Sequence, residues 1–396
     1  MRIGIFGGTF NPPHLGHKRL AHSMIKDASL DKILIIPTAT PPHKESGSDL
    51  ASQEDRFAMC ELLFSEDAYQ VSDIEFNRGG KSYTVDTVRA LKDIYPDDEL
   101  FLIIGSDMLL SFHRWYCYKE ILENATLCVA TREEEISLEQ LESYAKDTLC
   151  LDKNQIIFSS IEAFECSSTE VRKLLKEGDN AEAFLEEKVA DFARDNAIYT
   201  DEYTPWRKLL KSRLKEKRYI HSLNVADSAL MLAEKYGGDK EKSYFAGLVH
   251  DIMKNASEEE QLQIMEKGDI ILCRTEKNNP KLWHAMAGEC YLRVEMGITD
   301  KEILSAVRYH TTGKAGMSLL DKIVYIADYI SVERDYHDAD VMRHLSVNEG
   351  LDEAALYALK YSFTSLSEKE KLIHTDSVAY YNELIINKTE KEKCND

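Results

Sequence analysis

Two stretches of this chain combine residue types and spacings that suit work on phosphates. In the first, Gly7-Gly8-Thr9-Phe10-Asn11-Pro12-Pro13-His14-Leu15-Gly16-His17 leads out of an apolar run into a helical pattern. Small residues let backbone approach an anion, and a helix start adds free N–H groups and the positive end of the helix dipole. His14 and His17, three apart, project from one face of that helix start. Two imidazoles there can donate hydrogen bonds to oxygens that gain charge during a transfer. Further along, Cys166-Ser167-Ser168-Thr169-Glu170-Val171-Arg172 is a hydroxyl-rich helix start with an arginine one turn in, suited to grip a triphosphate tail. Pro41-Pro42-His43-Lys44 is a stiff loop ending in a cation that can meet a second phosphate.

The second stretch is a spread of histidines and aspartates. Seven of the twelve histidines lie in the second half, and four stand in distinctive settings: His221, His250 beside Asp251, His284, and His310. With Asp251 and Asp328 they form a mixed nitrogen and oxygen set of the kind that holds iron, manganese or a similar transition ion. Six protein ligands exceed one open site and suggest two ions, ~3.5–4 Å apart and bridged by Asp251. Asp328 falls on an apolar helix face, where an unpaired carboxylate would be costly. His337, His344 and His374 read as ordinary core or surface residues.

The elements that must position these residues differ between the halves. The first half alternates strand-like and helix-like segments: Arg2–Phe6, Gly16–Ala28, Lys32–Pro37, Gln53–Phe64, Tyr69–Glu75, Val85–Ile94, Leu100–Ile104, Cys128–Thr131 and Gln155–Ser159. Short buried strands separated by helices predict an α/β fold, a doubly wound parallel sheet with helices on both faces. From Trp206 onward the pattern is amphipathic helix only, as in Val225–Tyr236, Tyr244–His250, Ala285–Met296, Lys301–His310, Leu319–Ile330 and Glu353–Leu366. The switch falls in the polar stretch Thr200–Pro205. The expected domains are 1–202, α/β, and 206–387, all-α, with a frayed charged tail over 388–396.

Length and charge agree. At 396 residues the chain is long for one domain, and no apolar run reaches the roughly 20 residues of a bilayer span. The net charge is −21, with 21 basic against 38 acidic residues over 1–203 and 28 against 32 beyond. That balance argues against a nucleic-acid partner. Eight cysteines without a C-x-x-C pair read as reduced thiols of a cytoplasmic protein, and the start shows no signal peptide. A homo-oligomer stays open.

The first set of motifs resembles the H-x-G-H nucleotidyltransferase superfamily, and within it the nicotinate-nucleotide adenylyltransferases. Gly7–His17, Pro41–Lys44, Tyr83-Thr84-Val85-Asp86-Thr87, Gly105-Ser106-Asp107 through Trp115, and Cys166–Arg172 occur in that family's order. The resemblance implies a Rossmann-like fold and adenylyl transfer from ATP to nicotinate mononucleotide, releasing pyrophosphate. It assigns ATP to Gly7, Gly8, Thr9, Phe10, His14, His17, Gly105, Asp107, Ser167, Ser168, Thr169 and Arg172. Nicotinate mononucleotide falls to Lys44, Tyr83, Thr84 and Trp115, with Trp115 stacking on the pyridine ring. His14, His17, Lys44 and Arg172 would carry the catalysis, with Mg²⁺ accompanying ATP. Asn11 stands where many relatives carry aspartate, and reads as a turn-former that tolerates either residue.

The order of histidines and aspartates resembles the HD-domain phosphohydrolases, and most closely their symmetrical diadenosine tetraphosphate hydrolases, over about Trp206–Asn387. That likeness implies metal ligation by His221, His250, Asp251, His284, His310 and Asp328, and release of two ADP from a dinucleoside polyphosphate. Lys254, Thr311, Gly313 and Arg334 would contact its phosphates. Another nucleotide phosphohydrolase, or a nucleotide-sensing regulatory module, stays open for this half.

Overall fold

The run Ile3-Gly4-Ile5-Phe6 alternates its side chains between two apolar layers, as a strand buried on both faces must. In the computed structural model, which describes residues 1–39, 50–131, 136–160 and 166–395, it lies in β1 (Arg2–Gly8). The chain divides into two compact units, Met1–Thr204 and Pro205–Asp396.

In the first unit β1 is followed by α1 (Leu15–Asp27), β2 (Lys32–Pro37), α2 (Gln53–Leu63), β3 (Tyr69–Val71) and α3 (Ile74–Arg78). Then come α4 (Thr84–Ile94), β4 (Glu99–Gly105), α5 (Ser106–Ser111), α6 (Tyr118–Asn124), β5 (Thr126–Thr131), α7 (Leu138–Asp147), β6 (Ile156–Ser160), α8 (Ser168–Glu177) and α9 (Glu187–Asp195). The strands form one parallel sheet of order β3-β2-β1-β4-β5-β6. One face packs Phe6, Ile33, Ile35, Phe101 and Ile103 under α1, α2, α8 and α9. The other packs Ile3, Ile5, Leu34, Leu102 and Ile104 under α4 to α7.

Chain order reverses between β1 and β4. In such sheets ligands bind beyond the carboxyl ends of the strands flanking that reversal. The glycine turn leaves β1 at this point, and Gly105-Ser106-Asp107 leaves β4 beside it. The expected strand Tyr69–Glu75 is shorter than its apolar pattern: after Ser72 N–H meets Ile35 O at 2.9 Å the sheet ends and α3 begins.

The second unit is helical throughout its described residues: α10 (Thr204–Arg213), α11 (Glu216–Tyr236), α12 (Lys240–Val249), α13 (Glu258–Lys267), α14 (Arg274–Lys277) and α15 (Trp283–Cys290), then α16 (Lys301–Tyr309), α17 (Leu319–Ile330), α18 (His337–Asn348), α19 (Leu351–Glu368) and α20 (Thr375–Asn395). Val225, Leu232, Ile323, Ile326, Leu359 and Tyr380 make its core. The expected helix Ala285–Met296 changes character midway, with a wide π-turn at Tyr291–Glu295. Helix α20 runs through residues 388–395.

No helix of the described residues is long and apolar enough to cross a membrane. Of the seven cysteines whose side chains are described, all unbridged, Cys60, Cys128 and Cys290 are buried, and Cys117, Cys150 and Cys273 are exposed.

Candidate functional site

The turn after β1 is built by tertiary contacts. His14 is the N-cap of α1 and is buried. Its backbone N–H donates to Nδ1 of His17 at 3.1 Å, and the two rings lie 3.8 Å apart. A histidine that accepts at Nδ1 carries its hydrogen on Nε2, so His17 presents a donor. Burial and the neighbouring His14 hold His17 well below the usual imidazole range, which keeps it neutral.

Asn11 does more than turn the chain. Its Oδ1 accepts from Tyr199 Oη at 2.8 Å and from Ala51 N–H at 3.0 Å, and its carbonyl accepts from Arg172 Nη1 at 2.8 Å. Ser168 Oγ donates to Pro12 O at 3.0 Å, and Ser167 caps α8 by accepting the Glu170 N–H. The structure thus brings Gly7–His17 and Ser167–Arg172 together across the carboxyl edge of the sheet. Arg172 Nη2 also meets Thr169 Oγ1 at 3.3 Å.

Other expected residues take distinct places. The Phe10 ring is 1% exposed and packs edge-on against Phe6 and His17, so only its backbone can face a nucleotide. Gly105 leaves room for Asp107, since a Cβ there would sit 2.5 Å from Oδ1 of that exposed carboxylate. Tyr83, the N-cap of α4, and Thr84 stand at the next helix start. Trp115 lies half-buried against Phe112 at 4.8 Å, while exposed Tyr116 pairs with Tyr83 at 5.1 Å. Lys44 lies outside the described residues.

In the second unit all six expected ligands converge. They form three overlapping triads, His221/His250/Asp251, His250/His310/Asp328 and Asp251/His284/His310, each with its donor atoms within 4.8 Å of one another. His250 and His310 are the C-caps of α12 and α16, where Nδ1 meets the carbonyls of Gly247 (2.6 Å) and Val307 (2.7 Å). His284 Nδ1 meets Lys281 O at 2.8 Å, and His221 Nδ1 meets Glu333. Each Nδ1 therefore donates and each Nε2 points inward; burial alone would lower the proton affinity of His221, but Asp328 and Glu333 overcome it and raise it.

The result is a concentration of lone pairs. His284 and His310 Nε2 are 3.3 Å apart, with 3.2 and 3.5 Å to Asp251 Oδ1. His221 Nε2 is 3.0 Å from Asp328 Oδ1. Buried His250 Nε2 has no hydrogen-bond partner among the described residues. Burial lowers the affinity of His250 for a proton and pushes His284 down to about 4. Burial alone would raise Asp251 and Asp328, but the surrounding imidazoles overcome it and hold both well below the usual carboxylate range. Imidazole nitrogens and ionised carboxylates aimed at one volume fit divalent cations.

Around this cluster stand three cations, each about a third exposed. Arg218 meets Asp251 at 2.8 Å, Arg334 meets Asp328 at 2.8 Å, and Lys254 lies 3.0 Å from His284 Nε2. Thr311 Oγ1 is buried without a partner among the described residues. Gly313 has φ +62 and packs against Tyr380, 2.6 Å from where a Cβ would be, so it shapes the turn. Arg218 and Glu333 were not singled out by sequence reasoning. Both lie in segments on which the resemblance rests, Arg218–His221 and Asp328–Arg334, which gave their available signal without a role for either.

This geometry defines a nucleotidyltransferase-type α/β unit followed by a helical histidine–aspartate unit. Residues 5–174 match the cytidylyltransferase-like family and residues 218–333 the HD domain. The nicotinate-nucleotide adenylyltransferase of Bacillus subtilis is 34% identical over 199 residues, 50% of this chain and 98% of the relative. The symmetrical bis(5'-nucleosyl)-tetraphosphatase of Bacillus subtilis is 36% identical over 176 residues, 44% of this chain and 94% of the relative. A crystal structure from Clostridium acetobutylicum, described as a "predicted HD superfamily hydrolase involved in NAD metabolism", is 35% identical. It covers 47% of this chain and 98% of its own, with a TM-score of 0.46. The chain belongs over its first half to the nicotinate-nucleotide adenylyltransferase family and over its second to the HD family.

Proposed function

We propose that this chain is a bifunctional enzyme. Its first unit transfers the adenylyl group of ATP to nicotinate mononucleotide: an acceptor phosphate oxygen attacks the α-phosphorus, the α–β bridging bond breaks, and pyrophosphate leaves. The observation that carries this is the neutral His17 with its Nε2–H at a helix start beyond β1, beside buried His14. The protein positions two anions and donates hydrogen bonds to oxygens gaining charge, and no covalent nucleophile is needed. Exposed Asp107 would meet a ribose and Arg172, held by Asn11 O and Thr169, would steady the triphosphate, with Mg²⁺ accompanying ATP and Lys44, Tyr83, Thr84 and Trp115 receiving the acceptor. Incubating the full chain with ATP and nicotinate mononucleotide should yield deamido-NAD and pyrophosphate in equal amounts. No product at saturating substrates would sink the reading.

The second unit hydrolyses diadenosine tetraphosphate symmetrically, adding one water and releasing two ADP. The carrying observation is the inward aim of four Nε2 atoms around two ionised carboxylates. His221, His250, Asp251, His284, His310 and Asp328 would hold one or two iron or manganese ions. Bound there, such ions supply an acidified water and neutralise phosphate charge. Arg218, Lys254 and Arg334 ring the carboxylates and would turn to the polyphosphate, with Thr311 beside them. Metal-loaded protein should release ADP as sole product; AMP with ATP, or cleavage confined to phosphomonoesters, would replace this substrate with another.

A further inference from the structure

In the first unit the side chain of Arg56, on α2, is 0% exposed, yet no carboxylate lies within ion-pair distance among the described residues. Its Nη1 donates to Thr9 O and Thr38 O, both at 2.8 Å, and its Nε to Ala51 O at 3.3 Å. The guanidinium lies 5.5 Å from the Phe76 ring centroid, and buried Nη2 has no partner among the described residues. A buried charge without a counter-ion costs several kcal/mol, and a neutral side chain of similar size would hold the fold more cheaply.

The three carbonyls locate the charge. Thr9 belongs to the glycine turn after β1, Thr38 directly follows β2, and Ala51 precedes α2. These are backbone segments at the carboxyl edge of the sheet, where the two phosphates of the proposed transfer must meet. We infer that Arg56 is a positioning residue for that transfer: it ties the segments after β1 and β2 into one rigid frame and sets a fixed positive charge behind the meeting phosphates. The inference rests on the adenylyl-transfer reading of this site. Burial also lowers the proton affinity of Arg56, yet a guanidinium keeps its proton at any working pH.

The test uses the full chain and first requires wild-type turnover of ATP and nicotinate mononucleotide; absent that, the reading beneath fails rather than this inference. Arg56→Gln keeps donors but removes charge, and Arg56→Lys keeps charge with fewer donors. Kd values for ATP and nicotinate mononucleotide are compared with inhibition by adenosine, which carries no phosphate. Arg56→Gln should weaken both nucleotides tenfold or more and leave adenosine within twofold, whereas Arg56→Lys should stay within threefold throughout. Nucleotide binding by Arg56→Gln within twofold of wild type, or adenosine weakened as much as ATP, would overturn the inference. Should Arg56→Gln fail to fold, Arg56→Lys decides alone: ATP within threefold supports it, and a loss beyond tenfold overturns it.

Discussion

Histidines do opposite work in the two units, and the difference lies in what meets Nδ1. His17 stands in the first turn of α1, where Nδ1 accepts a backbone N–H, so Nε2 faces outward as a donor suited to anions. His250 and His310 stand at the ends of α12 and α16, where Nδ1 donates to a backbone carbonyl, so Nε2 offers a lone pair suited to cations. The helix dipole reinforces each choice, positive at the start and negative at the end. His374 adds a control. Its Nδ1 accepts the Asp376 N–H at 3.2 Å and its Nε2 faces Glu276 at 3.5 Å. Cys273, Glu276 and His374 are close enough to hold an ion, but with Nδ1 accepting, Nε2 of His374 turns a donor and not a lone pair toward Glu276. Imidazole polarity, not proximity, separates the two kinds of site.

The largest effect is expected where a lone pair is removed. His250→Ala should strip metal from the second unit, read by elemental analysis, and lower diadenosine tetraphosphate hydrolysis about a thousandfold, the rate equivalent of ~4 kcal/mol. Adenylyl transfer by the same variant should be unchanged. Full metal content with full hydrolysis would remove His250 from the site. Next comes the donor. His17→Asn keeps an acceptor for the His14 N–H but loses the outward N–H, and should cost about 10²–10³ in kcat. His17→Gln, whose amide can still reach outward, should retain more activity than His17→Asn. Equal loss in both would break the polarity comparison.

How far the sequence reveals all this follows from the range of the interactions. The alternation of apolar strands and helices, the glycine turn and the order of the six ligands are local patterns, so they are readable. The orienting role of Glu333 is not, because it lies in the recognisable stretch Asp328–Arg334 but meets His221 across 112 residues. Asn11 likewise reads as a turn-former from its neighbours, whereas its Oδ1 is committed to Tyr199, 188 residues away. Phe10 sits in a nucleotide-binding motif, but its φ of +47 turns the ring into the core.

Glu333 offers a gentler test of the second site. It accepts from Asn224 at 2.6 Å and from Ser331 at 2.8 Å, which fixes it against His221. Glu333→Gln keeps an acceptor but not the charge that strengthens His221 as a ligand. Metal affinity, measured by competition with a chelator, should fall 10–100-fold, the usual effect of losing such a partner. An affinity within twofold of wild type would make Glu333 a packing residue.

The smallest effect is one of stability, and it carries a sign. His17 in the folded unit has its affinity for protons lowered well below the ordinary 6.5 by burial and by His14. Above about pH 6.5 the imidazole is neutral whether the chain is folded or not, and the stability associated with it is fully present. As pH falls below that value the unfolded chain takes up a proton that the folded unit refuses, so stability declines toward the depressed folded value. The slope contributed is at most about 1.4 kcal/mol per pH unit. Calorimetry of the full chain, following the transition that ATP raises, should therefore show wild type losing more stability between pH 7 and 5.5 than His17→Asn, whose side chain does not titrate. An equal decline in both would mean that folded His17 takes up its proton as readily as the unfolded chain does, and the lowered proton affinity that keeps the donor neutral would be lost.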